Sequence, residues 1–227
     1  SLTVPEADGG MGFTPVELAL VLEELGWASD PTPFLATTSQ YVPLLQECGA
    51  GSLLGAVAGG GTGTVAWDGV AVDGGVLRGT ATTVLDGDRA DELAVVTSDG
   101  VFVVPGDAAG LSTRRIAAFD KSLHVADVTF DGVEVAPDRS FAGVDADRAG
   151  DEALTGMAAT MVGASQRILD LVLEHVKSRH QFGVPIGSFQ AVKHMAVDVY
   201  VAIQRARALC HFAALVIAED DPRRRVA

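Results

Sequence analysis

Arg179, Gln181, Phe182, Phe189 and Gln190 fall together in the run Arg179-His180-Gln181-Phe182-Gly183-Val184-Pro185-Ile186-Gly187-Ser188-Phe189-Gln190. A guanidinium pairs with phosphate oxygens through its planar fork, an amide adds donors and an acceptor, and phenyl faces accept a flat ring. Together they suit a flat, phosphorylated ligand. Arg179 has a second use open to it, because a cation at a helix end satisfies the last carbonyls and opposes the macrodipole. Helix capping alone does not call for Phe182, Phe189 and Gln190.

Two apolar-periodic segments flank this run. Leu154, Met157, Met161, Ala164, Ile168, Val172 and Val176 recur at three and four residues before it. Val192, Met195, Val199, Ile203, Ala206, Cys210, Ala213 and Ile217 do so after it. That periodicity predicts two long helices, the second over 189–220, packed antiparallel as half of a bundle, with the polar-aromatic run as their joint.

Upstream the texture differs. Thr14 as cap, Pro15 at the first helical position and Glu17 predict a helix that Gly26 stops, and a second covers 38–48. Between them and the long helices lie short β-branched runs at 63–67, 70–72, 75–85, 92–97, 101–104, 112–117, 124–130 and 133–135. Asp68-Gly69, Asp73-Gly74, Asp99-Gly100 and Asp131-Gly132 read as hairpin turns, so the middle is expected to be a small antiparallel barrel or sandwich. The expected class is α+β and multidomain: a partial N-terminal helical segment over 1–50, a middle β domain over 51–143 and a long-helix bundle over 144–227.

A net charge of −14 argues against nucleic acid and against anionic membrane surfaces. No apolar run reads as long and uninterrupted enough to span a bilayer, and no targeting segment is visible, so a cytoplasmic setting is expected. Cys48 and Cys210 lack companions at ligand spacing and read as small hydrophobes; no metal site is expected. His124, His175, His180, His194 and His211 form no triad, Trp27 and Trp67 read as packing residues, and Arg223 to Arg225 as a solvated terminus.

The order helical, β, long helices, together with four motifs, resembles the acyl-CoA dehydrogenase family. Val4-Pro5-Glu6-Ala7-Asp8-Gly9-Gly10-Met11-Gly12 looks like its Val-Pro-Glu-x-x-Gly-Gly-x-Gly turn. Glu23-Glu24-Leu25-Gly26 is similar to its Glu-Glu-Leu-Gly helix end, and Phe130-Asp131-Gly132-Val133-Glu134-Val135-Ala136-Pro137 to the strand leaving its β domain. Arg179 to Gln190 resembles its joint. The resemblance implies FAD shared across a subunit interface, with Arg179, Gln181 and Phe182 on the pyrophosphate and Ile186, Phe189, Gln190 and Val192 near the adenine end. It further implies α,β-dehydrogenation of an acyl-CoA thioester, electron-transfer flavoprotein as acceptor, and a homologous subunit in a homo- or hetero-tetramer.

The chain departs from that family in three places. Leu54 to Gly63, where the flavin-contacting loop is expected, has no carboxylate and no Pro, and reads as a hairpin. In Gly79-Thr80-Ala81-Thr82-Thr83-Val84-Leu85-Asp86-Gly87, Ala81, Thr83 and Leu85 replace the family's Lys, Trp and Thr. Leu154 stands where an Arg is usual and Ala153 where some members carry a catalytic Glu, with Glu152 one residue off; no catalytic base is assigned. These losses imply a half-site subunit with a degenerate flavin site, of the heteromeric kind known among actinobacterial sterol-degrading members. A non-catalytic partner and a self-sufficient homotetramer are the alternatives.

Overall fold

The computed structural model describes residues 2–225 and divides into two compact units. One comprises 1–14 and 31–153, the other 15–30 and 154–227.

In the first unit, α2 (Phe34–Ala36) runs through a π-helical stretch (Thr37–Tyr41) into α3 (Val42–Glu47). Pro43 lacks an N–H and crowds the carbonyl one turn back, so the ladder widens to five-residue spacing just before it. Thr38 and Ser39 hydroxyls donate to the carbonyls of Phe34 (2.7 Å) and Leu35 (2.8 Å), satisfying buried groups the wider turn leaves displaced. After Gly49, α4 (Gly51–Ala58) buries Leu53, Leu54 and Val57. The hairpin expected over 54–63 is therefore a helix and a short link; its apolar residues share one helical face, and the glycines between them masked it.

Two four-stranded sheets follow, ordered β1-β4-β5-β8 and β2-β3-β7-β6. Their strands are β1 (Gly63–Ala66), β2 (Val70–Asp73), β3 (Val76–Leu85), β4 (Glu92–Thr97), β5 (Gly100–Pro105), β6 (Leu111–Arg115), β7 (Val125–Glu134) and β8 (Ser140–Ala142). Leu77, Ala81, Val84, Leu93, Val95, Phe102, Val104, Val128, Phe130 and Val133 meet in one buried cluster between the sheets, making a sandwich. Val65, Ala94, Val101 and Val103, on the other face of the first sheet, pack on Tyr41, Val42, Leu44 and Leu45. The sandwich is not wholly antiparallel, since β1 pairs β4 in parallel.

Two of the expected hairpins take other forms. Asp68-Gly69 carries the chain from one sheet to the other. Asp131-Gly132 lies inside one continuous β7, where Leu77 opposes Val133 and Arg78 opposes Asp131, so Gly132, at φ 74°, is the bulged residue.

The second unit holds α1 (Pro15–Ala28), most of α5 (Asp147–Ser178) and α6 (Gln190–Ala218). Gly26 does not stop α1. It lies inside the helix, where a Cβ would stand 2.1 Å from the Thr160 carbonyl oxygen; a Cβ at Gly163 would stand 1.8 Å from that of Glu23. The two glycines let α1 and α5 cross with backbones in contact.

On α5 the apolar stripe read from sequence is the uncovered face: Leu154 is 69% and Met161 67% exposed, while Ala153, Ala159 and Val162 are buried. Val162 and Leu169 pack on Ile203 of α6. By length and composition α6 could cross a membrane, with mean hydropathy 1.4 over its most apolar 18-residue window, contrary to the sequence reading. Arg207 near its middle is ion-paired to Glu23 of α1, as suits a bundle helix.

Candidate functional site

The joint is a miniature hairpin. β9 (His180–Gln181) pairs antiparallel with β10 (Val184–Pro185), and Ile186 N–H closes it onto the Arg179 carbonyl at 2.8 Å. Phe182 and Gly183 form its two-residue turn at φ 55° and 81°, the left-handed pair of a type I′ turn. Asn, Asp or Gly ordinarily takes the first of these places; a bulky residue there is a genuine outlier.

The Phe182 ring, 92% exposed, meets Phe189 edge to face with centroids 6.1 Å apart. Arg179 is exposed, and its guanidinium makes no hydrogen bond or ion pair among the described residues, so it does not cap α5. Among the described residues the Gln181 side chain donates only to the neighbouring His180 carbonyl (2.8 Å), and His180 Nδ1 lies 3.0 Å from the Ser178 carbonyl oxygen. Ile186 and Val192 are half-buried, and Gln190 is exposed in the first turn of α6, which has no side-chain cap. The hairpin thus brings all seven candidates to one end of the helix pair, with a cation and two aromatic rings turned outward.

In the other unit, β3 presents the substituted strand. Thr82 and Thr83 bulge between Ala81, paired with Val128, and Val84, paired with Ala126. Thr83, at φ 56°, is exposed, and its N–H lies 3.4 Å from Asp127 Oδ1, while the other oxygen of that carboxylate pairs with Arg114. Ala81 is buried in the sandwich and Leu85 is half-buried. Position 83 therefore offers no aromatic wall, its hydroxyl being turned onto the Thr82 carbonyl at 2.7 Å, and position 85 offers no hydroxyl.

Glu152 is buried at the start of α5 beside Arg148; Ala153 is buried and Leu154 is exposed. Among the described residues no group of three or more His, Cys, Asp or Glu gathers to hold a metal ion. Burial pushes the Cys48 thiol up to about 11, which keeps it an unreactive thiol.

A polar network that sequence reading missed ties α1, α5 and α6 together. Arg207 Nε donates to Glu23 Oε1 at 2.6 Å and its Nη2 to Gln166 Oε1 at 3.2 Å. Gln166 and Trp27 Nε1 each donate to Asp170, both at 2.9 Å, holding its carboxyl below the usual range. Arg167 stacks over Trp27 at 4.5 Å. Trp27, Gln166, Arg207 and Gly163 line a shallow cleft of about 240 Å³. The partners are far apart in the chain, so no local pattern announces them.

Residues 152–227 match the family described as acyl-CoA dehydrogenase, C-terminal domain. The acyl-CoA dehydrogenase IpdE2 of Mycolicibacterium smegmatis is 34% identical over 211 residues, covering 93% of this chain and 60% of that protein. The ChsE4-ChsE5 complex of Mycobacterium tuberculosis superposes with a TM-score of 0.83 at 31% identity, over 97% of this chain and 66% of that one. The chain belongs to the acyl-CoA dehydrogenase family. A third relative, the Tcur3481-Tcur3483 steroid ACAD, gives the same TM-score, 0.83, at 31% identity over 96% of this chain and 65% of that one. This acyl-CoA dehydrogenase chain spans about 60% of the length of the curated relative IpdE2. Its sandwich followed by two long helices is the family fold.

Proposed function

We propose that this chain is a subunit of an FAD-dependent acyl-CoA dehydrogenase that removes hydrogen across the α,β bond of an acyl-CoA thioester. Its part is to donate the joint to a flavin held mainly by a homologous partner. The observation that carries this reading is the outward-turned joint: Arg179 without a partner among the described residues, beside two exposed phenyl rings.

The residues fit one end of FAD. Arg179, Gln181 and Phe182 would hold the pyrophosphate, and Ile186, Phe189, Gln190 and Val192 the adenine side, by charge-assisted hydrogen bonding and ring contact. The flavin-ring end fits poorly, because Thr83 supplies no aromatic wall, Leu85 supplies no hydroxyl, and no carboxylate is assigned as base among the described residues. FAD, when bound, would supply a hydride acceptor for the β carbon, a reaction that also requires a base for the α proton.

The uncovered apolar face of α5 and α6 suits packing against that homologous subunit, since an exposed apolar patch of this extent marks an interaction surface. Names such as ChsE4-ChsE5 complex and steroid ACAD favour a heteromeric assembly acting on a steroid-derived acyl group; the resemblance to the family implies electron-transfer flavoprotein as the acceptor. The setting would be the cytoplasm.

Purifying the chain alone and with a co-expressed homologue bearing a complete flavin strand tests the assignment. The chain alone should be colourless and the complex yellow. A stoichiometric flavin band in the chain by itself would replace the half-site with a self-sufficient enzyme, and a colourless complex would leave only a structural partner.

A further inference from the structure

Asp86 and Glu152 are both buried, and their surroundings treat them differently. Asp86 accepts a hydrogen bond from Arg89 Nε at 2.7 Å. Glu152, 7% exposed in the second turn of α5, accepts none among the described residues. Its facing cation is Arg148, whose Nε lies 3.8 Å away, four residues earlier on the same helix. That guanidinium is shared, for its Nη1 lies 3.7 Å from Glu47 Oε1 of α3. One cation therefore serves two carboxylates, at separations too long for direct hydrogen bonds. A buried ion pair stabilises only where its geometry offsets the desolvation of both charges, and this arrangement does not reach that standard.

We propose that Glu47, Arg148 and Glu152 form a proton-operated latch, holding the first turns of α5 on α3 when Glu152 is protonated and loosening them when it is ionised. The latch is independent of the flavin assignment, since all three residues lie within the sandwich unit.

Burial pushes the Glu152 carboxyl from its ordinary 4.5 up to about 7; Arg148 pulls it down, and Glu47 and Asp151 push it further up. Those are the charged groups that face it from α3 and from α5 itself. Cys48, at the end of α3, has its thiol pushed up to about 11 by burial and then by Glu47, and stays neutral throughout. The sign follows from linkage. The folded state holds the proton more tightly than the unfolded state, so the stabilisation is fully present below about 4.5 and is lost as pH rises through about 7. Ala149, fully buried among Leu44, Leu45 and the rest of that core, is the part of α5 that the latch secures.

Two measurements on the intact chain test it. In a carbon-detected NMR titration, the Glu152 carboxyl should have its midpoint near 7, and Glu47→Gln should lower that midpoint by removing the like charge. In hydrogen exchange, corrected for intrinsic rate, the amides of α5 around Ala149 should lose protection several-fold between pH 5.5 and pH 8 in the natural protein. They should keep it in Glu152→Gln. A midpoint near 4.5 would overturn the proposal, as would the same pH dependence of protection in both proteins. Should Glu152→Gln fail to fold, the titration of the natural protein decides alone.

Discussion

Phe182 occupies a backbone position that costs a bulky side chain about 1–2 kcal/mol, and its ring, almost wholly exposed, meets Phe189 edge to face. Strain held in place without local return is a mark of function. Phe182→Asn suits the type I′ turn and relieves that strain, while forfeiting an edge contact worth about 0.5–1.5 kcal/mol. The two effects nearly cancel, so the thermal midpoint should stay within about 2 °C, whereas flavin retention in the assembled complex should fall. Thermal melts beside flavin absorbance would read both; a lowered midpoint with undiminished flavin would make Phe182 a structural residue. Composition and order of the joint were legible because its residue types are chemically committed. The left-handed φ of Phe182 was not, since nothing in a Phe-Gly pair announces a turn that normally takes Asn-Gly.

At the scale of elements, the close crossing of α1 and α5 depends on Gly26 and Gly163 lacking side chains. Gly163→Ala places a methyl 1.8 Å from the Glu23 carbonyl oxygen and 2.8 Å from the Trp27 nitrogen, so the helices must part and the Arg207–Glu23–Gln166 network must stretch. Overpacking of this kind costs about 1–3 kcal/mol, a fall of several degrees in Tm at ~2–4 °C per kcal/mol. Gly150 is the control. A Cβ there meets nothing within 4 Å, so Gly150→Ala should raise Tm slightly through helix propensity. A calorimetric scan showing no loss for Gly163→Ala would mean the crossing is looser than described.

Strand positions followed from period-two patterning, because alternation of faces is a property of the strand itself. Three misreadings share a different cause. Asp131-Gly132 supplies a left-handed residue that serves a bulge as well as a turn. Gly26 reads as a stop until its neighbour Thr160 is known. The apolar stripe of α5 reports which face is apolar, and not which face this chain covers.

At the scale of the whole molecule, the sandwich, the helix pair and the outward joint make sense as part of an assembly. A long apolar helix face lies uncovered, and the exposed Arg179 and Phe182 stand at one end of the helix pair, which is what the proposed half-site role requires. The flavin-side substitutions at Ala81, Thr83 and Leu85 point the same way. Glu152, by contrast, was legible only as a near miss beside Ala153; its burial against Glu47 depends on packing of α3 on α5, which no local pattern encodes.

The most direct measurement is the flavin content of the co-expressed complex carrying Arg179→Ala, with assembly checked by gel filtration. Loss of a charge-assisted contact worth about 1.5–3 kcal/mol should weaken flavin binding roughly ten- to hundredfold, leave the complex assembled, and be partly restored by Arg179→Lys. An assembled complex that keeps its flavin undiminished after Arg179→Ala would contradict the claim that this joint grips the cofactor of its neighbour.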